Sequence, residues 1–438
     1  AFSGSMLFTP DPRTRVSFLG RYGERIYHFP TDDAGNVVDA NAFTYGDEVI
    51  LAVEGSRMLS DRIEVRGVVR SYGWDGGSDD KPDGPDDNLG FFGYTSLDSF
   101  KRNAVDLSAN LGLGGAGVVS AGVEIEEEDQ RSFSESLSEY GPSSGQSRNE
   151  RSNRGYYAHL TSERSAWAGH LGFRIEDNEQ YGSFFTYQAG LSYSPFAAGP
   201  RVRGSLGRGL KEPTFFETSS SGFTVGNPDL EPEQSLVWEV GIEQRLGVGG
   251  GSVALTWFHQ DLEDLIQYTF VTSEPGGPNF FNLAEARSRG LEATANVPVG
   301  PLRLSGGYTY LDTEVLDAGS DEGEGAVFVE GEPLIRRPEH QVTLGGSYGF
   351  SRGNLSGSVR WVGTRVDRDF TTWPASPVEL SSHALVSLGG EVTLFNSRGR
   401  MPAFDIQLRI ENLLDEDYQE VFGYRAPGRA ILLGGRFR

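Results

Sequence analysis

The sequence predicts an all-β fold, a transmembrane antiparallel up-and-down β-barrel forming a single domain over residues 1–438. Three observations lead to this prediction. Apolar and polar residues alternate with a period of two along most of the chain, which places them on opposite faces of strands. Short connections alternate with long ones, as in barrels whose two ends face different compartments. The chain has 59 Gly and only 37% hydrophobic residues, too little apolar material for a large soluble core.

Composition also excludes several classes of protein. No run approaches the roughly 18 consecutive apolar residues of a membrane helix. Because the chain has no Cys, a metal site would need oxygen or imidazole ligands. The net charge of -24 disfavours a nucleic-acid partner, since phosphates would be repelled.

No catalytic arrangement of side chains is apparent, so we expect neither an enzyme nor a cofactor. Residues 112–117 fit the G-x-G-x-x-G dinucleotide pattern, and residues 345–349 fit the nucleophile elbow of hydrolases. The first lies between two alternating strands with no following helix, and the second lies within a strand. Both patterns need a strand-to-helix turn. We therefore interpret them as glycines of hairpins or barrel strands.

Two classes of connection separate the predicted strands. The short class comprises residues 9–13, 112–115, 195–200, 247–251, 297–301, 351–353 and 396–400. The long class comprises residues 30–45, 74–100, 133–153, 211–235, 317–333, 370–381 and 411–428. Between them lie about nineteen strands. Large outer-membrane transporters contain about 22 strands, so we expect an N-terminally truncated barrel whose first strands lie outside this chain.

Several motifs occur in an order typical of one family. They are residues 207–216, residues 226–233, Asp264-Leu265-Ile266, Asn282 followed by Arg289-Gly290-Leu291-Glu292, Leu334-Ile335-Arg336-Arg337-Pro338, Gly363-Thr364-Arg365, and a closing stretch from Asn412-Leu413-Leu414-Asp415 to Ala426-Pro427-Gly428-Arg429. In order and spacing they resemble TonB-dependent outer-membrane receptors. The pattern is most similar to the vitamin B12 receptor and to catecholate-siderophore receptors.

The resemblance implies a location and a function. It implies a barrel in the outer membrane of a Gram-negative-type bacterium, in contact with outer-membrane lipid. The function implied is energised uptake of a scarce, bulky nutrient, a ferric siderophore or a cobalamin-like ligand. In this family a plug domain fills the lumen and contacts the TonB complex. We expect that plug to lie outside this chain as well.

Two other functions stay open at this point. A passive porin-like diffusion channel needs no plug, and a surface adhesion or assembly protein would use its outer loops without transport. The family motifs and the long, aromatic loops argue against a porin. A plug with a TonB-contact segment encoded upstream would support the receptor and exclude the porin.

Most motif residues are expected to hold loop shape. Pro213 and Pro228 end strands, because proline cannot donate to a sheet ladder, and Asn227-Pro228 is a turn signal. On the strands, five arginines are expected to face the lumen, where they would pair with plug carboxylates or contact ligand: Arg62, Arg66, Arg70, Arg303 and Arg360.

Aromatic residues in the long connections are candidates for ligand contact, since aromatic rings suit large planar ligands such as corrinoids or catecholates. The candidates are Phe91, Phe92, Tyr94, Phe215, Phe216, Phe223, Phe280, Phe281, Phe370 and Trp373. For each ring the alternative is packing between loops or a place in the interfacial aromatic belt. We expect Phe215, Phe216, Phe223, Phe280 and Phe281 to form one surface, because they lie on two neighbouring outer loops.

An acidic segment is the candidate metal site. It contains Asp75, Asp79, Asp80, Asp83, Asp86 and Asp87. Carboxylates on a flexible loop suit Ca²⁺, although the spacing is not that of an EF-hand. The alternative is a solvated acidic loop without metal.

Overall fold

The computed structural model describes residues 1–28, 41–82, 91–138, 141–196, 199–222, 224–247, 249–268, 276–319, 325–370, 372, 374–398 and 402–437. For residues 91, 92 and 283 it describes only the backbone.

Within these described ranges, nineteen strands form one antiparallel sheet. They are β1 (Phe2–Asp11), β2 (Thr14–His28), β3 (Phe43–Ser60), β4 (Ile63–Asp80), β5 (Phe91–Gly112), β6 (Val118–Ser138), β7 (Gly141–Arg164), β8 (Trp167–Asn178), β9 (Gly182–Tyr193), β10 (Pro200–Lys211), β11 (Glu233–Arg245), β12 (Ser252–Tyr268), β13 (Phe280–Val299), β14 (Leu302–Asp317), β15 (His340–Phe350), β16 (Gly353–Val362), β19 (His383–Phe395), β20 (Phe404–Glu411) and β23 (Ala430–Phe437).

Smaller elements lie in the connections. Two hairpins are built from short strands, β17 (Arg365–Asp369) with β18 (Ser376–Leu380) and β21 (Gln419–Val421) with β22 (Tyr424–Arg425). One short helix, α1 (Phe215–Ser219), follows β10. Among the described residues, no helix is long and apolar enough to cross a membrane.

Each main strand pairs with the main strands that precede and follow it, so the sheet is an up-and-down meander. Within the described part of the chain, β1 pairs only with β2 and β23 only with β20. The barrel wall is therefore open along one seam. The predicted all-β meander of about nineteen strands is confirmed.

An apolar band covers the outward face of the strands. Along β5 and β6 it includes Val105, Leu107, Val123 and Ile125, all of them exposed. At the end with the short turns, aromatic pairs border the band. Trp167 and Tyr193 have ring centroids 4.3 Å apart, and Phe404 and Phe437 have centroids 4.7 Å apart. An apolar band with an aromatic girdle is the surface that a barrel presents to lipid.

Strands β4 to β7 are much longer than the sequence predicted. Residues 74–100 and 133–153 were expected to be long loops. Instead β4 continues to Asp80, β5 begins at Phe91, and only residues 139–140 separate β6 from β7. The 22 residues of β5 would extend about 70 Å at the usual rise per residue, whereas about ten residues cross a membrane. Beyond the lipid both faces meet water, so the alternation on which the prediction depended is lost.

The glycine-rich turn at 112–117 joins β5 to β6, as expected. A 3₁₀ turn spans Gly114–Ala116. Gly117 has φ +121°, and a Cβ there would lie 2.0 Å from the carbonyl oxygen of Thr161 on β7. Glycine is needed at position 117 because of this close approach and positive φ.

Candidate ligand vestibule

The concave face of the sheet is identified by a loop that folds onto it. In the β10–β11 loop (212–232), the Pro213 carbonyl accepts a hydrogen bond from Arg151 Nη1 at 2.9 Å. Ser221 Oγ accepts one from the backbone N–H of Gln146 at 3.1 Å. Arg151 and Gln146 belong to β7, and β8 and β9 lie between β7 and β10 in the sheet. The face of β7 that carries Arg151 is therefore the inner face. We call the space between the inner faces and the inward-folded outer loops the vestibule.

A buried carboxylate on the inner face holds two arginines. We call Arg102, Glu128, Arg151 and Glu212 the Glu128 cluster. Glu128 accepts hydrogen bonds from Arg102 Nε at 2.7 Å and from Arg151 Nε at 2.9 Å, with further bonds from the Nη2 atoms of both. The side chain of Glu128 is 1% exposed and that of Arg151 is 8% exposed. Arg151 also lies 3.4 Å from Glu212. The cluster thus fixes the start of the β10–β11 loop to the wall formed by β5, β6 and β7.

Polar groups next to the cluster extend it toward the β8–β9 turn. Asn153 Nδ2 donates to Glu212 Oε2 at 3.3 Å, and Asn178 Nδ2 donates to Asn153 Oδ1 at 2.6 Å. Asn178 Oδ1 accepts from the backbone N–H of Tyr181 at 3.0 Å. Burial raises the pKa of the Tyr181 phenol. The phenol therefore stays protonated and neutral at physiological pH.

The β10–β11 loop is built by its family motif. Thr214 caps α1 through a capping box, in which Thr214 Oγ1 accepts from Glu217 N at 3.2 Å and Glu217 Oε2 accepts from Thr214 N at 2.7 Å. Gly226 passes so close to α1 that a Cβ would lie 2.4 Å from Ser219 N. Asn227 Nδ2 donates to the Phe280 carbonyl at 2.8 Å. These residues hold loop shape, as expected.

A second motif residue, Asn282, joins this loop to the β12–β13 hairpin. Asn282 Nδ2 donates to the carbonyls of Glu231 and Asp264, at 2.7 and 2.8 Å. Asn282 Oδ1 accepts from Glu231 N at 2.7 Å. Asp264 has φ +57° and bends β12 at a register shift. The motifs at 226–233, 264–266 and 282 are therefore parts of one hydrogen-bonded junction.

Replacing Thr214 with Ala tests this loop. The change removes the cap of α1 and should cost about 1 kcal/mol of local stability. Backbone amides of residues 215–220 should exchange about fivefold faster in hydrogen-exchange measurements. The control is Thr256→Ala on β12, which should leave exchange at 215–220 unchanged. Equal exchange in the Thr214 variant and the parent protein would contradict the assigned cap.

Of the aromatic candidates, only some are open to the vestibule. Phe215 is 7% exposed, and the Arg151 guanidinium lies 4.8 Å from its ring centroid. Phe280 is also buried, with Phe216 and Tyr268 edge-on to it at 5.8 and 5.3 Å. Phe281 is half-buried. Among the rings of this group whose side chains the structure describes, Phe216 is the exposed one, at 58%.

The remaining aromatic candidates are spread around the outer end. Tyr94 on β5 is exposed, and Phe370 is exposed beneath the Arg336 guanidinium at 5.8 Å. Phe91 and Phe92 are described only as backbone of β5, and Phe223 and Trp373 lie outside the described residues. The structure thus joins the loops of Phe216 and Phe280 as expected, and the contact of any ring with a ligand stays a prediction.

Two of the five arginine candidates pair with inner-face acids, one on the adjacent strand β3 and one on β6, two strands away. Arg66 Nε lies 2.8 Å from Glu54, and Arg70 Nη2 lies 2.7 Å from Glu124. Arg303 on β14 and Arg360 on β16 alternate with outward apolar residues and are exposed. Arg62 lies in the turn before β4, where strand alternation does not fix its direction. Ligand contact by these arginines stays a prediction.

The acidic candidates lie differently from the expected loop. Asp75, Asp79 and Asp80 belong to β4, where Asp80 points to the opposite face from the other two. Asp79 pairs with Lys81 at 3.1 Å. Asp83, Asp86 and Asp87 lie outside the described residues. In the described part of the chain, no group of three or more His, Asp or Glu side chains could hold a metal ion. Calcium binding stays a prediction.

A second buried carboxylate, which sequence analysis missed, joins three outer loops. Asp367 on β17 is fully buried and accepts from Arg336 Nε, Arg368 N and Phe422 N, each at 2.8 Å. Arg336 belongs to the β14–β15 loop (318–339) and Phe422 to the β20–β23 loop (412–429). These two loops and the β17–β18 hairpin are therefore joined through one carboxylate.

Comparisons with known proteins agree with the β-barrel fold described above. A family model described as TonB dependent receptor-like, beta-barrel, matches residues 6–413. The ferric-catecholate import receptor Fiu from E. coli K12 shares 15% identity, over 99% of this chain and 73% of Fiu, with a TM-score of 0.70. The ferripyoverdine receptor of the outer membrane of Pseudomonas aeruginosa shares 14% identity, over 99% of this chain and 64% of that receptor, with a TM-score of 0.74. The copper transporter OprC shares 14% identity, over 98% and 70% of the two chains, with a TM-score of 0.74.

Proposed function

Because the chain belongs to the TonB-dependent receptor family and forms its outer-membrane β-barrel, we propose that it is the barrel of a receptor that takes up a scarce, bulky nutrient. The nutrient is a ferric siderophore or a cobalamin-like ligand. Energy is supplied by the TonB complex through a plug domain. The Fiu and ferripyoverdine receptors are named for ferric siderophores, and OprC is named for copper.

The observation that carries this proposal is the construction of the vestibule. Two groups of outer loops are held in fixed positions. The β10–β11 loop is bound to the wall through Arg151 and Pro213, and three further loops are joined to one another through Asp367, which accepts from Phe422 N. The first group carries an exposed ring, Phe216, and charged side chains such as Arg70 and Glu124 line the inner face of the wall. A polar, partly aromatic surface held at the outer end suits capture of a large ligand before transport.

Uptake by the full-length gene product in an outer-membrane receptor-deficient strain tests the proposal. We expect accumulation of ⁵⁵Fe supplied as a ferric catecholate, or of ⁵⁷Co-cobalamin, in cells with intact tonB and none in isogenic tonB-deleted cells. Equal accumulation in both strains would indicate a passive channel. Attachment of the expressing cells to other cells or to extracellular matrix, with no accumulation of either label, would indicate an adhesion protein.

Replacing Phe216 with Ala tests the aromatic surface. Loss of one exposed ring against a planar ligand should weaken ligand binding by about 1 kcal/mol, or about fivefold. The measurement is half-saturation of uptake, with barrel abundance followed on immunoblots. The control is Phe196→Ala, because Phe196 is also well exposed, at 69%, but lies in the β9–β10 turn at the opposite end. An unchanged half-saturation in the Phe216 variant would assign this ring to loop packing.

A further inference from the structure

Two basic side chains, one in the connection after β16 and one at the start of β19, are buried with unpaired polar atoms. Arg365 begins β17 and His383 begins β19, and each side chain is 2% exposed. Arg365 Nη2 donates to the Gln419 carbonyl at 2.5 Å. Within the described residues, Arg365 Nη1 and both ring nitrogens of His383 have no hydrogen-bond partner. Buried polar groups in proteins nearly always have a hydrogen-bond partner. We therefore interpret these unpaired atoms as positions at which a bound group would make hydrogen bonds.

The β20–β23 loop covers these two side chains. The Tyr418 ring centroid lies 4.5 Å from that of His383. The Glu420 carboxylate lies 3.6 Å from Arg365 Nη2, 3.9 Å from Arg360 Nη1 and 4.0 Å from His383 Nε2. All three distances exceed hydrogen-bond length. Glu420 thus lies among three nitrogen groups without a hydrogen bond to any of them, and its side chain is 49% exposed.

We propose that Arg360, Arg365 and His383 form a binding site for a carboxylate group of an incoming ligand, and that Glu420 occupies this site as an internal competitor. A guanidinium group presents paired N–H donors that match the two oxygens of a carboxylate. A free carboxylate can approach to 2.7–2.9 Å, whereas the Glu420 carboxylate lies 3.6–4.0 Å from these nitrogen atoms. Displacing Glu420 would let the unpaired Arg365 Nη1 and His383 donate to the ligand.

The proposal deepens the proposed receptor function, and rests on it only for the route by which ligand arrives. Since Glu420 is half-exposed, a ligand in the vestibule can approach the site from the side on which Glu420 lies. The site would select carboxylate-bearing ligands over neutral ones of similar size. A neutral ferric trihydroxamate offers no anionic oxygen pair to Arg365.

Isothermal titration of the full-length protein in detergent micelles tests the site, with citrate as the carboxylate probe and sulfate as a second anion. Glu420→Gln removes the competing charge, so citrate should bind about tenfold more tightly than to the parent protein. Arg365→Gln should weaken citrate binding at least tenfold. The matched control is Glu416→Gln, in the same loop, whose side chain makes no ion pair within the described residues. It should leave citrate binding unchanged.

Several results would overturn the proposal. One is citrate affinity in Glu420→Gln equal to that of the parent protein or of Glu416→Gln. Another is sulfate binding as tight as citrate binding, since this would leave no preference for carboxylate. If Arg365→Gln fails to fold, as judged by heat-modifiable gel mobility, Arg360→Gln replaces it, because Arg360 is half-exposed. The titration measures binding and needs no transport. Citrate binding can therefore be absent while tonB-dependent uptake is observed, or present while uptake is absent, so the two proposals fail separately.

Discussion

Replacing Glu128 with Gln should lower the free energy of unfolding by about 3–5 kcal/mol. Glu128 is the buried anion between Arg102 and Arg151, and its side chain is 1% exposed. The amide keeps the shape of the side chain but leaves the buried Arg151 guanidinium without its main counter-charge. Removing one partner of a buried ion pair is costly because desolvation of the remaining charge is no longer offset.

Urea unfolding of the full-length protein, followed by tryptophan fluorescence, measures this effect. The control is Glu150→Gln on the neighbouring strand β7, where Glu150 pairs with Arg148 at the surface and is 65% exposed. An exposed pair contributes 0–1 kcal/mol, so this variant should unfold much like the parent protein. Unfolding midpoints that coincide in the two variants would show that the Glu128 cluster contributes no more than a surface pair.

Replacing Asp367 with Ala should release the three loops that this carboxylate joins. The change removes three hydrogen bonds, from Arg336 Nε, Arg368 N and Phe422 N, and leaves three half-buried donors without this acceptor. Hydrogen bonds to charged groups contribute about 1.5–3 kcal/mol each. Allowing for new bonds to water, we expect a loss of about 3 kcal/mol in the local opening free energy. Amides in residues 325–338 and 412–425 should then exchange roughly 100-fold faster.

Hydrogen exchange read by mass spectrometry distinguishes this local effect from global unfolding. Amides of β5 and β6, far from Asp367 in the sheet, should keep their protection. The control is Glu379→Gln on β18, opposite Val366 and exposed, which removes one negative charge from the same hairpin. If Asp367→Ala and Glu379→Gln give the same exchange in residues 412–425, the three loops are not joined through Asp367.

Much of the fold could be predicted because strand alternation is a local property. Residues 302–310 and 341–350 alternate between apolar and polar, and they lie in β14 and β15 as expected. The prediction failed for 74–80, 91–100 and 133–153, where the strands continue past the expected strand ends and polar residues occur on both faces. Alternation reports a difference between two environments. It vanishes where the two faces meet the same solvent.

The candidate site was predicted only in part. The family motifs located the loops, and their structural roles at Asn227 and Asn282 agree with expectation. Phe215 was a candidate for ligand contact; its ring is buried beside the Arg151 guanidinium, and contact with a ligand stays a prediction. Glu128 carried a usable signal, since Glu124, Glu126 and Glu128 share one face of β6. The role of Arg151 could not be predicted, because sequence analysis assigned residues 133–153 to a loop.

The sequence by itself determined the all-β barrel, the alternation of faces, the sides on which short and long connections lie, and the family. Each follows from spacing along one stretch of chain or from motifs in order. Only the tertiary structure decided which side chains meet. Arg151 bonds to Pro213 across 62 positions, and Asp367 to Phe422 across 55. Such contacts depend on the curvature of the sheet and on the path of each loop, and no local period encodes either.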